Sequence, residues 1–316
     1  MVTFADIETA AARIAPHVKR TPVLTSDWFD QRAGIRTFFK AENLQTGGAF
    51  KLRGGVNFVL SIPDADIGRG VVAFSSGNHA QAVAIAAGIR GVKATLVMPD
   101  DAPKSKMAAT RARSGEIIVF DRLKEDREAI GRRVAAETGA TLVPPFDHEL
   151  IIAGQGTAAK ELLEETGQVD ALVVCLGGGG LLSGCATAAK AMQPGIKVFG
   201  VEPETANDWA LSIKAGQIVE IPPPNTIADG LRAPKPGKVT FPIVQKLVDD
   251  VITVSEQEIV ETVMFLLDKM KIVVEPSGAV AAAAILFGKL PPGINTAAAI
   301  ISGGNVDWEL LRSFEG

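Results

Sequence analysis

Lys51 stands in the run Thr46-Gly-Gly-Ala-Phe-Lys51-Leu-Arg53-Gly-Gly, directly after a glycine-containing turn and where a helix would begin. Alone, a lysine at such a position is ordinarily a solvated surface group. Its chemical interest depends on desolvation, because an ammonium held near other cations loses its proton and can attack a carbonyl. A second motif supplies what a phosphorylated carbonyl cofactor would need. Gly177-Gly178-Gly179-Gly180 follows the apolar run 171–176 and precedes a helical segment from Leu181. A glycine turn between strand and helix lets backbone N–H groups close around an anion, and the helix N-terminus adds partial positive charge. Four consecutive glycines lose so much entropy on ordering that a bound phosphate explains them better than a tight turn alone. The loop is no dinucleotide fingerprint, since the third glycine position counted from Gly178 is Ser183. It is no Walker A loop either, since Gly184 is followed by Cys185 and Ala186.

Three further clusters have ligand-binding chemistry. Ser75-Ser76-Gly77-Asn78-His79 follows the run 71–74 and opens a helix. Its free N–H groups, hydroxyls and amide suit a carboxylate or a cofactor ring oxygen, with ordinary N-capping by Ser76 or Asn78 as the competing reading. Ser302-Gly303-Gly304-Asn305 ends the last apolar run and puts a hydroxyl at a strand's carboxyl end, where open α/β sheets bind ligands. Glu202 and Asp208 flank Ala206 after another strand; two carboxylates and a carbonyl can hold a hard cation such as Mg²⁺ or Ca²⁺, although a solvated cap has the same local pattern.

The elements that must position these groups follow from hydrophobic patterning. Short apolar runs at 37–40, 71–74, 94–97, 117–120, 142–143, 171–176, 198–201, 251–254 and 297–301 alternate with segments of helical length at 7–14, 80–87, 105–113, 125–138, 156–165 and 181–192. Continuously apolar runs imply burial on both faces, as in a parallel sheet covered by helices. Ser255-Glu256-Gln257-Glu258 has capping-box spacing and predicts a helix start. Alternation over the whole length means an α/β fold. The 316 residues suggest about two domains, and 47% hydrophobic content supports a sizeable core. Lys and Arg number 32 against 36 Asp and Glu, so no basic excess exists to neutralise a nucleic-acid backbone. Two cysteines exclude a disulfide scaffold or a Cys-rich zinc site. The N-terminal residues carry acids and no signal-type apolar core, and no apolar stretch is long enough to span a bilayer. The expectation is a soluble, cytoplasmic protein with neither nucleic-acid nor membrane partners.

Taken together, the motifs resemble the fold type II pyridoxal-phosphate enzymes, specifically the serine/threonine dehydratase and serine racemase group. The matching stretches include Phe39-Lys-Ala-Glu42-Asn43-Leu-Gln45, Phe50-Lys51-Leu-Arg53-Gly54, Ser75 to Gln81, Ala153-Gly-Gln-Gly-Thr157, Gly177 to Gly180, Gly200-Val-Glu-Pro203, Ala228-Asp-Gly230, Glu275-Pro276-Ser277-Gly278 and Ser302 to Asp307. Their order and spacing hold across nearly the full length. The resemblance implies a two-domain, tryptophan-synthase-β-like architecture of open, twisted, mainly parallel sheets flanked by helices. It implies a large cofactor-binding domain at 1–69 and 147–316, a small mobile domain at 70–146, and a homodimer.

By the same resemblance, Lys51 attaches to the cofactor aldehyde and then removes the substrate α-proton. Phe50 packs beside the pyridine ring and Asn78 meets its phenolic oxygen. Gly177 to Gly180 with Leu181 cradle the phosphate, and Ser302 meets the pyridine nitrogen. Gly230, Glu275 and Asn305 complete the cofactor site. Ser75, Ser76, Gly77 and His79 gather the substrate carboxylate. Glu202, Ala206 and Asp208 match the divalent-cation site of the racemase-like branch, for Mg²⁺ with Mn²⁺ or Ca²⁺ as alternatives.

The implied reaction is β-elimination from a β-hydroxy amino acid to a 2-oxo acid and ammonia. Ser76 matches the second acid/base of serine racemase, so it permits racemisation without requiring it. Arg127 matches a racemase arginine that can reach a distal carboxylate, a fitting task for a guanidinium, against the alternative of a solvated helix face. An inward Arg127 makes 3-hydroxyaspartate the preferred substrate, giving oxaloacetate, ahead of serine or threonine dehydration and of serine racemisation. Phe146-Asp147-His148 departs from the racemase pattern and makes His148 a candidate contact for a β-substituent. Gly47, Ala49 and Gly55 also depart from the group's commoner residues. A non-catalytic amino-acid-binding protein on the same scaffold is the rival from a different class; a nicotinamide dehydrogenase is opposed by the failed glycine fingerprint.

Overall fold

The apolar runs pair into two sheets in the computed structural model, which describes residues 1–75, 77–100, 107, 115–121 and 124–314. Strands are β1 (Val23–Leu24), β2 (Arg36–Ala41), β3 (Val71–Phe74), β4 (Ala94–Pro99), β5 (Gly115–Phe120), β6 (Thr141–Leu142), β7 (Ala171–Cys175), β8 (Lys197–Pro203), β9 (Asp250–Val254) and β10 (Thr296–Ile301). One sheet has the order β1-β2-β10-β7-β8-β9 and the other β5-β4-β3-β6. All pairings are parallel except β1 with β2. Every expected strand run falls on one of these strands. Strands β3, β4 and β7 are buried at every residue, as two-sided helix cover requires.

The helices are α1 (Phe4–Ile14), α2 (Asp27–Ala33), α3 (Lys51–Leu60), α4 (Asp64–Ile67), α5 (Asn78–Ile89), α6 (Arg127–Thr138), α7 (Glu149–Thr166), α8 (Gly180–Met192), α9 (Asp208–Ala215), α10 (Thr240–Leu247), α11 (Glu256–Met270), α12 (Pro276–Leu286) and α13 (Trp308–Ser313). The helix expected at 105–113 lies, Met107 apart, outside the described residues. Ser255 and Glu258 form the expected capping box at the start of α11. Three differences from expectation have physical reasons. Helix α12 is buried at every position, so it lacks the polar face that gives a helical period. Strand β1 has only two residues. The helix expected at 156–165 is the second half of α7, which begins seven residues earlier behind His148 as its N-cap.

Two features fix the frame around Lys51. Helices α7 and α8 cross with their backbones almost touching: a Cβ on Gly184 would lie 2.2 Å from the Ile152 carbonyl oxygen. Helix α3 packs against both α5 and α7. Its Arg53 is fully buried, and its guanidinium donates to Glu42 Oε1 and Oε2 at 2.8 Å each and to Glu161 Oε1 at 2.7 Å. The buried Lys40 ammonium takes Glu161 Oε2 at 2.7 Å and the Thr21 carbonyl at 2.6 Å. Two cations thus meet two carboxylates, so no buried charge is left uncompensated. The first turn of α3, which carries Lys51, is anchored to β2 and α7.

Candidate active site

A cavity of about 640 Å³ is lined from both sheets' units. It is built around the segment joining β2 to α3. Ala49 bridges Gly303, Phe50 N donates to the Ser302 carbonyl at 2.9 Å, and Gly304 N donates to the Gly48 carbonyl at 2.9 Å. These bonds hold the end of β10 beside the start of α3. Residues 251 apart in the chain, Lys51 and Ser302, therefore line one cavity.

Lys51 faces that cavity and donates from Nζ to the Pro145 carbonyl at 2.7 Å. Its pKa is lowered to about 8, chiefly by burial and with the Arg127 charge assisting, while Cys175 and Glu275 act in the opposite direction. Its Nζ lies 5.2 Å from the Phe50 ring centroid, so Phe50 is in the site as expected.

The glycine loop leaves β7 and enters α8. Trp209 Nε1 donates to the Gly177 carbonyl at 2.5 Å and Thr240 Oγ1 to the Gly178 carbonyl at 2.9 Å. Gly179, at φ +91, caps α8 in a conformation that glycine adopts without strain, and a Cβ there would meet the Trp209 ring at 2.4 Å. Gly177 to Gly180 and Leu181 all line the cavity. A side-chain-free loop at the N-terminus of a 13-residue helix fits a phosphate.

At the opposite wall, Ser75, Gly77, Asn78 and His79 line the cavity; Ser76 lies outside the described residues. The His79 pKa is pushed down to about 3, by burial first and then by Lys51, so the imidazole is neutral. Its Nε2 sits 3.0 Å from the Val143 carbonyl. That acceptor assigns the ring proton to Nε2 and leaves Nδ1 as a lone pair. Asn78 Nδ2 donates to Glu275 Oε1 at 2.7 Å, and its Oδ1 accepts from Asn305 Nδ2 at 2.8 Å. One Asn78 amide hydrogen stays available to a cofactor oxygen.

Asn305 itself does not line the cavity. It also donates to the Gly47 carbonyl at 2.7 Å, and so holds Asn78 in place at the cavity's edge. Gly230 and Glu275 do line the cavity.

Among the lining residues that sequence reasoning missed are Ser277 and Cys175. Ser277 accepts from Gly230 N at 2.9 Å through Oγ, and the family-like run Glu275 to Gly278 contained it. Cys175 is a neutral thiol whose pKa is pushed up to about 11, chiefly by burial, with the neighbouring Ser302 acting in the opposite direction. As the last residue of an apolar strand it gave no signal.

Arg127, the first residue of α6, lines the cavity's outer side, next to Asp126, whose Oδ1 caps α6 by accepting from Glu128 N at 2.8 Å. His148 does not line the cavity. Its Nδ1 accepts from Leu150 N at 3.1 Å and its ring packs edge-on to Phe58, so its side chain is spent capping α7 and the expected substrate contact is withdrawn.

Glu202, Ala206 and Asp208 come together behind the glycine loop. Glu202 accepts from Trp209 N at 3.2 Å and Ala210 N at 2.9 Å. Burial pushes its pKa up to about 8, and that of Asp208 to about 7. Asp208 Oδ2 is buried without a hydrogen-bond partner. Among the described residues no cluster of three or more His, Cys, Asp or Glu side chains exists, so a cation here would take two carboxylates and complete its shell with carbonyls and water. No helix among the described residues is long and apolar enough to cross a membrane.

Comparison with known proteins agrees with this geometry. The model of the pyridoxal-phosphate dependent enzyme family matches residues 14–303. The chain is 52% identical over 305 residues to L-threo-3-hydroxyaspartate ammonia-lyase of Saccharomyces cerevisiae, covering 96% of this chain and 94% of that protein. It is 47% identical over 312 residues to serine racemase of Schizosaccharomyces pombe, covering 99% and 97%. The structure of maize serine racemase superposes with a TM-score of 0.95 at 44% identity, covering 99% of this chain and 96% of that one.

Proposed function

Because the chain belongs to the pyridoxal-phosphate dependent enzyme family, we propose that it is an ammonia-lyase for a β-hydroxy amino acid, with 3-hydroxyaspartate as the preferred substrate. The reaction removes water across Cα and Cβ, and hydrolysis of the released enamine yields oxaloacetate and ammonia. The observation that carries this reading is Arg127, which lines the Lys51 cavity and is close enough for its charge to lower the lysine's pKa. A second carboxylate on the substrate is the natural partner of a guanidinium so placed.

When bound, the cofactor supplies a conjugated ring that stabilises the charge left by α-proton loss. The chain's own residues do the rest. Lys51, easily neutralised, takes the α-proton. Ser75, Gly77 and the start of α5 receive the α-carboxylate, with Ser76 assigned by its motif to the second proton-handling role. Ser302 and the neutral Cys175 thiol offer the pyridine nitrogen no formal charge. Neutral His79 adds none to the carboxylate site.

We extend the proposal to a divalent cation, Mg²⁺ first, at Glu202, Ala206 and Asp208, where the unpartnered Asp208 oxygen supports it. The sheet formed by residues 71–142 is taken as the core of a small domain, 70–146, that closes over the cavity and excludes water. A homodimeric, cytoplasmic setting rests on the resemblance of the motifs.

The test is the ratio of kcat/KM for 3-hydroxyaspartate over L-serine, with Mg²⁺ present, following 2-oxo acid formation. The expected ratio is about a hundred or more, close to 3 kcal/mol of transition-state discrimination. A ratio near one sinks the hydroxyaspartate reading and leaves serine or threonine dehydration, or racemisation, in its place.

A further inference from the structure

Arg127 is not the cavity's only guanidinium. Arg232 follows the short turn Asp229–Leu231 and lines the same cavity from the larger sheet's side. Its Nε and Nη2 both donate to the Thr226 carbonyl, at 2.9 and 2.5 Å. The segment bearing that carbonyl is tied down in turn. Ala228 N donates to Thr226 Oγ1 at 3.1 Å, Ile227 N to Glu256 Oε2 at 2.9 Å, and Gly230 N to Ser277 Oγ at 2.9 Å. The side chain is thus oriented by a neutral acceptor. No carboxylate among the described residues lies within ion-pair distance of it. A cation fixed in this way loses little further entropy on meeting an anion.

The two arginines come from different units: Arg127 from α6 beside the smaller sheet, Arg232 from a tethered turn beside the larger one. Arg127 also sits at a helix N-terminus, where a positive side chain opposes the helix dipole and an anion is welcome. We infer that Arg232 is the fixed half of a two-arginine reader of the substrate's second carboxylate, with Arg127 as the half brought in when the units close. This rests on the hydroxyaspartate reading above and adds the residue that would make it selective. The competing anion is the cofactor phosphate, because Leu231 packs on Gly177, within 3.1 Å of where a Cβ would stand.

The experiment uses the holoenzyme with Arg232→Gln and Arg232→Lys, measuring kcat and KM for 3-hydroxyaspartate and L-serine, and cofactor retention by absorbance. Losing a charge-assisted contact to the distal carboxylate raises KM for 3-hydroxyaspartate about tenfold or more in Arg232→Gln, with a clearly smaller change for L-serine and cofactor retained. Arg232→Lys, which keeps the charge without the fork, recovers part of the loss; it also carries the test if the glutamine variant fails to fold. Weakened cofactor retention with equal losses on both substrates assigns Arg232 to the phosphate and overturns the proposal. An unchanged KM for 3-hydroxyaspartate overturns it too. The parent reading is judged on the unmodified enzyme's substrate ratio alone, so the two failures are distinguishable.

Discussion

Lys51 acts only as a neutral amine, and two independent penalties on its charge make that possible at ordinary pH. Burial is the larger and Arg127 the next that lowers it. The rate at which cofactor-free protein captures pyridoxal phosphate should therefore climb as pH rises through about 8 and level off above it. Stopped-flow absorbance would show this. A lysine at its unperturbed value, about 10.4, would instead keep gaining rate well beyond pH 9, and such a profile would contradict the buried environment. Lys51→Ala should lower the elimination rate by a factor on the order of 10²–10⁴, the range for losing a positioned acid/base group, and should abolish fixation of the cofactor by borohydride. Neutral His79 complements this picture. Its proton is assigned to the Val143 carbonyl, so it neither competes with Lys51 for protons nor adds positive charge to the carboxylate site.

At the scale of elements, precision comes from close backbone approach. Gly184→Ala would put a methyl group 2.2 Å from the Ile152 carbonyl oxygen and 2.6 Å from Gly156 N. Both obstacles are backbone and neither can rotate away. Urea denaturation should show a loss of about 2–3 kcal/mol or more, the upper range for overpacking. Gly195→Ala, where an added Cβ meets nothing within 4 Å, is the control and should change stability by under about 0.5 kcal/mol. An unaffected Gly184→Ala would mean the helices can slide apart and do not clamp the frame.

The same elements show what a sequence can and cannot display. The β7, glycine loop and α8 unit was readable because a continuous apolar run, a four-glycine turn and a helical stretch follow in order. Helix α12 was not, because complete burial erases the two-sided pattern on which helix recognition depends. Within the site, Lys51, Asn78 and Ser302 lie in distinctive motifs, whereas Cys175 and Arg232 reach the cavity only through folding. His148 lies beside pocket residues Pro145 and Phe146, yet its side chain turns to cap α7; neighbourhood in sequence does not determine direction.

Across the whole molecule, the buried Glu202 and Asp208 pair links stability to both pH and cation. Each carboxyl is held above its ordinary pKa, Glu202 at about 8 and Asp208 at about 7, chiefly by burial. At these two sites the folded, cation-free protein therefore holds more protons than the unfolded chain between roughly pH 4 and pH 8, so the pair's own contribution to stability falls as pH rises through that window. A divalent cation reverses the preference, because it needs both carboxylates ionised. The same concentration of Mg²⁺ should therefore raise the Tm of chelator-treated protein more at pH 8 than at pH 6. Trp209 connects the cluster to function: its backbone N–H donates to Glu202 and its indole to the Gly177 carbonyl. Chelation should accordingly weaken cofactor retention along with stability. Thermal melts at the two pH values, read with cofactor absorbance, decide the matter. Equal shifts at both pH values, or none, would remove the cation from Glu202 and Asp208 and leave them as a protonated, purely structural pair.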